Sequence, residues 1–334
     1  MLAATQSEED FMVSRTQLRL LAVGATTALG VAALSWQKHE KRGRGLLFSP
    51  SEGTMVDAAR TLNRGAGLLA TSVALDSALE HYRGDFQNRA MYTPLAASTL
   101  SLLASGQGQQ DPGAFASKVR DLIYVLTGLT GLAGAGFHLY NVTKRPGGMS
   151  WSNLFYAAPL GAPAALVLSG LLGYYSEQLR NTSGDAEPRV MGLPAGKSVA
   201  LMAAAGLLGT TAEAGLLHFR GSFQNPAMYL PVTAPPLAAA LLAASALTSP
   251  RHKRLRWTSR LVLRFTAFMG FAGAGFHALG IARNNGGWRN WRQNLQAGPP
   301  LPAPPSFTGL ALAGLAAHSL LDEEKELAQY RWWK

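Results

Sequence analysis

The chain has 334 residues, with 30 Lys+Arg against 19 Asp+Glu for a formal net charge of +11, and no cysteine. Charged residues make up 15% of it, well below the roughly 25% of ordinary soluble domains. That composition excludes a disordered chain, which is polar and highly charged, and the missing cysteine excludes a disulfide scaffold, iron–sulfur sites and covalent c-type haem.

A hydrocarbon core needs about 20 mostly apolar residues per helix. The sequence predicts nine such spans, near 17–36, 62–82, 93–105, 121–141, 154–175, 198–218, 229–247, 261–282 and 305–321. The 93–105 run is the shortest. Arg64, Arg264, Asp76, Glu80 and Glu213 interrupt the spans. Prolines gather where spans begin, at Pro94, Pro159, Pro163, Pro231 to Pro236 and Pro300 to Pro305. A proline costs little in a first turn, where its missing N–H would have had no partner. Glu8, Glu9 and Asp10 stand where a secretory signal would be basic, so 17–36 reads as a retained first helix.

Most of the basic residues fall in short loops between apolar runs, which points to a lipid bilayer and away from nucleic acid. Loops after the odd-numbered spans are the more basic, with Lys38, Lys41, Arg42 and Arg44 in one and Arg251, Lys253, Arg254 and Arg256 in another. The positive-inside rule puts these loops in the cytoplasm. The expected location is a bacterial inner membrane.

The most informative pattern is internal. Residues 81–94 read HYRGDFQNRAMYTP and residues 218–231 read HFRGSFQNPAMYLP, identical at ten of fourteen places. GLAGAGFH at 131–138 returns as GFAGAGFH at 270–277, and PLGAP at 159–163 returns as PLPAP at 300–304. The offsets are 137, 139 and 141. The expected architecture is all-α: an N-terminal segment 1–53 with the first helix, a four-helix repeat over 54–180, and a second over 194–334 that ends in a charged tail. An even number of helices per unit gives both units one orientation, as in parallel transporter repeats.

The repeat pairs His81 with His218 and His138 with His277, each at the outer end of an outward-running helix, so all four share the non-cytoplasmic face. Helical side chains lean toward the N-terminus, so positions four and seven residues earlier lie beneath each ring. Beneath His138 these are Gly134 and Gly131; beneath His277, Gly273 and Gly270. Small floors admit another helix or a flat macrocycle. A b-type haem needs two axial imidazoles with room for the porphyrin, and Arg83 and Arg220 are placed to pair with propionates. His81 with His138 and His218 with His277 would thus hold two haems, or a non-haem metal. The arrangement is similar in kind to membrane cytochrome b subunits of respiratory dehydrogenases, an analogy of architecture.

Asp76 and Glu213 sit five residues before His81 and His218. Intramembrane carboxylates are costly and usually face a partner, a cavity or a proton path, here proton exchange with a quinone. The loop RGxFQNxAMYxP reads as a lid over the histidine level. No Gly-rich phosphate loop, HExxH or GxSxG in a supporting context occurs.

Three functions follow from the sequence. The leading one is a haem-bearing subunit of a redox complex, passing electrons between a non-cytoplasmic partner and quinone; it is an electron-transfer or anchor subunit rather than a stand-alone enzyme, and it requires open glycine floors. A proton-coupled transporter requires a cavity between the two halves. A cofactor-free scaffold for other subunits requires protein or lipid against the glycines.

Overall fold

Ala-, Leu- and Gly-rich runs fold as helices here, as an apolar chain in lipid must, because a backbone away from water has to satisfy its N–H and C=O groups internally. The structure, a computed structural model, describes residues 50–113, 116–157, 160–181, 188–248 and 252–331. The helix expected over 17–36, and nearly all of the segment 1–53, lie outside these residues. In chain order the helices are α1 (Pro50–Arg83), α2 (Thr93–Gln110), α3 (Lys118–Thr143), α4 (Trp151–Ala157), α5 (Gly161–Arg180), α6 (Ala195–Arg220), α7 (Leu230–Leu247), α8 (Lys253–Arg283), α9 (Trp291–Ala297) and α10 (Pro305–Arg331). Between α5 and α6 two short strands, β1 (Arg189–Val190) and β2 (Leu193–Pro194), pair antiparallel. Met191 and Gly192 turn that hairpin at φ 52° and 78°, the left-handed pair that a tight two-residue turn needs.

Among the described residues four helices are long and apolar enough to cross a membrane: Lys118–Thr143, Ala195–Arg220, Pro226–Leu247 and Lys253–Arg283. Their surface is apolar. Val119, Leu122, Leu126 and Leu129 of α3 are each more than half exposed, and so is Phe268 of α8. An unbroken outward stripe of this kind calls for lipid around it. Inside, Ala, Gly and Ser predominate, the residues that let helix backbones approach in a bilayer.

Three elements differ from the sequence expectation. The 154–175 run is two helices, α4 and α5, with Leu160 outside both. The 93–105 run continues to Gln110, since the polar end of α2 finds buried partners: Arg60 Nε donates to the Gln109 carbonyl at 2.7 Å, and the Ser105 and Tyr124 hydroxyls lie 3.3 Å apart. Pro235 and Pro236 fall inside α7 rather than at its start. Apolar helices tolerate this where neighbouring helices and local adjustments satisfy the freed carbonyls.

In the first half α1 packs against α2 and α5, and α3 against α2 and α5. In the second, α6 packs against α7 and α10, and α8 against α7 and α10. The halves meet chiefly where α10 lies along α1, and there Gly65 and Gly309 cross backbone to backbone. A Cβ on Gly65 would stand 2.7 Å from the Gly309 carbonyl, and one on Gly309 would stand 2.8 Å from that of Gly65.

The end of the first half away from the histidines is locked by polar groups. Arg120 grips the fully buried Glu177 with Nε at 2.7 Å and Nη2 at 3.1 Å, and the Ser117 N–H donates to Glu177 at 2.7 Å. Tyr124 and Ser176 both donate to Asn63 Oδ1, at 2.7 and 2.9 Å. Asp111 completes the lock. Burial alone would raise its carboxyl, but donation from the Gly113 N–H and Arg120, with Arg180 nearby, holds it below the usual carboxylate range.

The glycine crossing makes a testable claim. Gly309→Val forces α1 and α10 apart and costs about 1–3 kcal/mol, read as a lower melting temperature in detergent. Gly106→Ala on α2, where nothing lies within 4 Å, stays within about 0.5 kcal/mol of the parent.

Candidate binding cavity

The two copies of the histidine loop fold alike because the same residues make the same bonds. Asp85 and Phe86 have φ of 54° and 46°, and Ser222 and Phe223 have φ of 57° and 45°. Non-glycine residues pay roughly 1–3 kcal/mol for such conformations and need surrounding contacts to hold them. Those contacts are present. The Phe86 and Phe223 N–H groups donate to the His81 and His218 carbonyls at 3.0 Å, closing each helix end. Phe86 stacks on Tyr92 at 4.4 Å and Phe223 on Tyr229 at 4.6 Å. Asn88 and Asn225 accept from the Ala90 and Ala227 N–H groups at 2.9 Å.

The histidines join this framework through one nitrogen. His81 Nδ1 bonds the Met91 carbonyl at 2.6 Å, His218 Nδ1 that of Met228 at 2.9 Å, and His277 Nδ1 that of Pro300 at 2.7 Å. In the repeat, the carbonyl matching Pro300 for His138 is that of Pro159, outside the described residues. His138 interacts electrostatically with His81, and His277 with His218. The two predicted arginines make local contacts. Arg83 pairs with Glu80, and Arg220 lies 5.0 Å over the Phe155 ring.

The glycine floors are occupied by protein. A Cβ on Gly131 would stand 2.7 Å from the Val167 nitrogen and 2.8 Å from the Pro163 carbonyl, both of α5. At Gly270 it would meet Thr308 of α10 and, at 2.8 Å, the Pro304 carbonyl. Gly134 faces Pro163 at 3.7 Å, and Gly273 faces Pro304 at 2.9 Å. These glycines let α3 ride on α5 and α8 on α10, and a flat group has no room on Gly131 or Gly270.

Open space lies elsewhere, in a cavity of about 1130 Å³ at the histidine end of α6 and α8. This slightly exceeds the roughly 300–1,000 Å³ common for ligand sites. Residues from both halves line it. Asp76 comes from α1 and Gly161 from α5; Glu213 and His218 come from α6, and His277 and Arg283 from α8. Asp76 therefore opens on the same space as Glu213, its counterpart in the repeat, while its own neighbour His81 is tied into the loop.

The two carboxylates are held differently. Glu213 accepts from the Gly161 N–H at the start of α5, and lies so close that a Cβ at Gly161 would overlap it. The residue that matches Gly161 in the repeat is Pro302, which has no N–H to give. Asp76 makes no hydrogen bond or ion pair among the described residues. Sequence reasoning missed Gly161 and Arg283 as lining residues, and also Ser72. The signal for Ser72 was its position four before Asp76, on the same helix face.

Among the described residues no group of three or more His, Asp or Glu is gathered as a metal-ion site. No family model, curated protein or solved structure matches the chain.

Proposed function

We propose that the chain is a proton-coupled membrane transporter built from two tandem four-helix units, 54–180 and 194–334, after an N-terminal membrane helix in 1–53. Nine spans, with the histidine ends on the non-cytoplasmic side of a bacterial inner membrane, belong to the same reading. One observation carries it: a single cavity receives Asp76 from one half and Glu213 from the other, with His218 and His277 beside them. A carboxylate in an apolar helix is stable when it holds a proton or a cation, so solute binding and protonation compete for the same groups. Two units that touch chiefly along α1 and α10 are the kind of bodies that rock about a shared site.

Liposomes carrying the full chain and loaded with pyranine test the proposal. Under an imposed pH gradient they are challenged with a pool of amino acids, short amines and short carboxylates. The parent protein answers with an internal pH change. A D76N/E213Q double variant, inserted to the same level, does not. A parent protein silent to the whole pool contradicts transport.

One observation favours a second reading, a b-type haem carrier serving quinone and a partner subunit, its haem held in the cavity because the glycine floors are filled. Nδ1 of His218 and His277 is tied to a backbone carbonyl, the arrangement in which metal-ligating histidines are generally held, with Nε2 left for the metal. Haem would supply one-electron chemistry; the chain would supply Nε2 of His218 and His277, with Arg220 and Arg283 lining the same cavity. Protein purified from cells fed 5-aminolevulinate would then show a Soret band that His277→Ala abolishes. A colourless preparation removes this reading.

A further inference from the structure

We propose that the cavity binds an ω-amino acid-like zwitterion, with its ammonium on Asp76, Ser72 and Glu213 at the floor and its carboxylate on the basic mouth. The inference deepens the transporter reading and rests on it for biological use, but its content is binding alone.

The floor has the chemistry of a cation site. Ser72 is 4% exposed, lines the cavity, and its hydroxyl has no hydrogen-bond partner among the described residues. It stands one helical turn below Asp76 on the same face of α1. Asp76 lacks the backbone donor that Gly161 supplies to Glu213, so its oxygens remain for a ligand. An ammonium has three N–H groups and no acceptor, and it matches two carboxylates and a hydroxyl oxygen.

The mouth carries the opposite charge. Arg220 and Arg283 line it, with the Gln224 and Asn225 amides. Seven residues of α6 separate Glu213 from Arg220, about 10 Å of helix rise. Part of the wall is apolar, with Leu217, Met269 and Phe276, and His218 and His277 line it too. A ligand that satisfies all three levels has a cationic end, a short alkyl middle and an anionic end. A bare alkali ion or a proton would use the floor alone and leave most of the volume unfilled.

Calorimetry on the full chain in lipid nanodiscs tests the assignment with 6-aminohexanoate, hexylamine, hexanoate and sodium chloride, against empty nanodiscs. The parent binds 6-aminohexanoate about tenfold more tightly than hexylamine or hexanoate. Asp76→Asn brings 6-aminohexanoate down to the level of hexanoate and leaves hexanoate itself unchanged. Arg283→Gln brings it down to the level of hexylamine. Equal binding of the three organic ligands, insensitivity to Asp76→Asn in a variant that melts like the parent, or an Asp76-dependent heat from sodium alone overturns the assignment. Binding with these dependences in a protein that gives no pyranine response removes transport and leaves the subsite standing. A pyranine response without ammonium selectivity removes the subsite alone.

Discussion

The crossing of α1 over α10 at Gly65 and Gly309 is the constraint on which the rest depends. Each glycine gives its missing side chain's space to the other's carbonyl, so the two backbones touch. This contact joins the first helix of one half to the last helix of the other. It sets α1 beside the second half, and Asp76, about three turns above Gly65, comes to line a cavity otherwise built largely by α6, α8 and the start of α10. A larger residue at either glycine would widen the seam and draw Asp76 away from Glu213.

The halves share an arrangement of helices but divide the chemistry. Near the end away from the histidines the first half carries Asn63, Ser105, Tyr124, Ser176 and Glu177, all buried and hydrogen-bonded. At the repeat offsets the second half carries Ala200, Leu242, Leu263, Ala317 and His318. There His318 Nε2 and the Ser259 hydroxyl, 2.8 Å apart, stand where the first half has the Glu177–Arg120 ion pair. A buried ion pair specifies geometry more than it adds stability, because desolvation offsets most of the attraction. The first half thus has a buried cluster of hydrogen bonds around Asn63 and Glu177, where the second has the His318–Ser259 bond and the pairing of Arg256 and Arg260 with Asp322. The same division recurs at the cavity, where Gly161 donates to Glu213 while its counterpart Pro302 has nothing to donate.

Much of this was legible in the sequence. The all-helical class follows from long apolar runs, and the loop pair from ten identities in fourteen residues, several of which have a bond to account for them: the Asn that caps, the Phe that stacks on Tyr, the His that reaches the Met carbonyl. What the glycines face was not legible. GLAGAGFH carries the same small residues whether a helix or a cofactor lies above them, and only the placement of Pro163 and Pro304 decides between the two. The split of 154–175 was hidden because α4 is as apolar and aromatic as a span. The meeting of Asp76 with Glu213 depends on a contact between glycines 244 positions apart, and no local pattern encodes that.

The most direct test of the central claim, that one carboxylate position from each half opens on a shared cavity, uses the chain's lack of cysteine. Asp76→Cys and Glu213→Cys, introduced together, give a protein with only those two thiols, to be treated in native membranes with a short bis-methanethiosulfonate linker and read by mass spectrometry. The account predicts an intramolecular link between positions 76 and 213 that forms readily in the parent background and is lost when Gly309→Val is added. Two thiols that each react with a single-ended reagent but never join would contradict it.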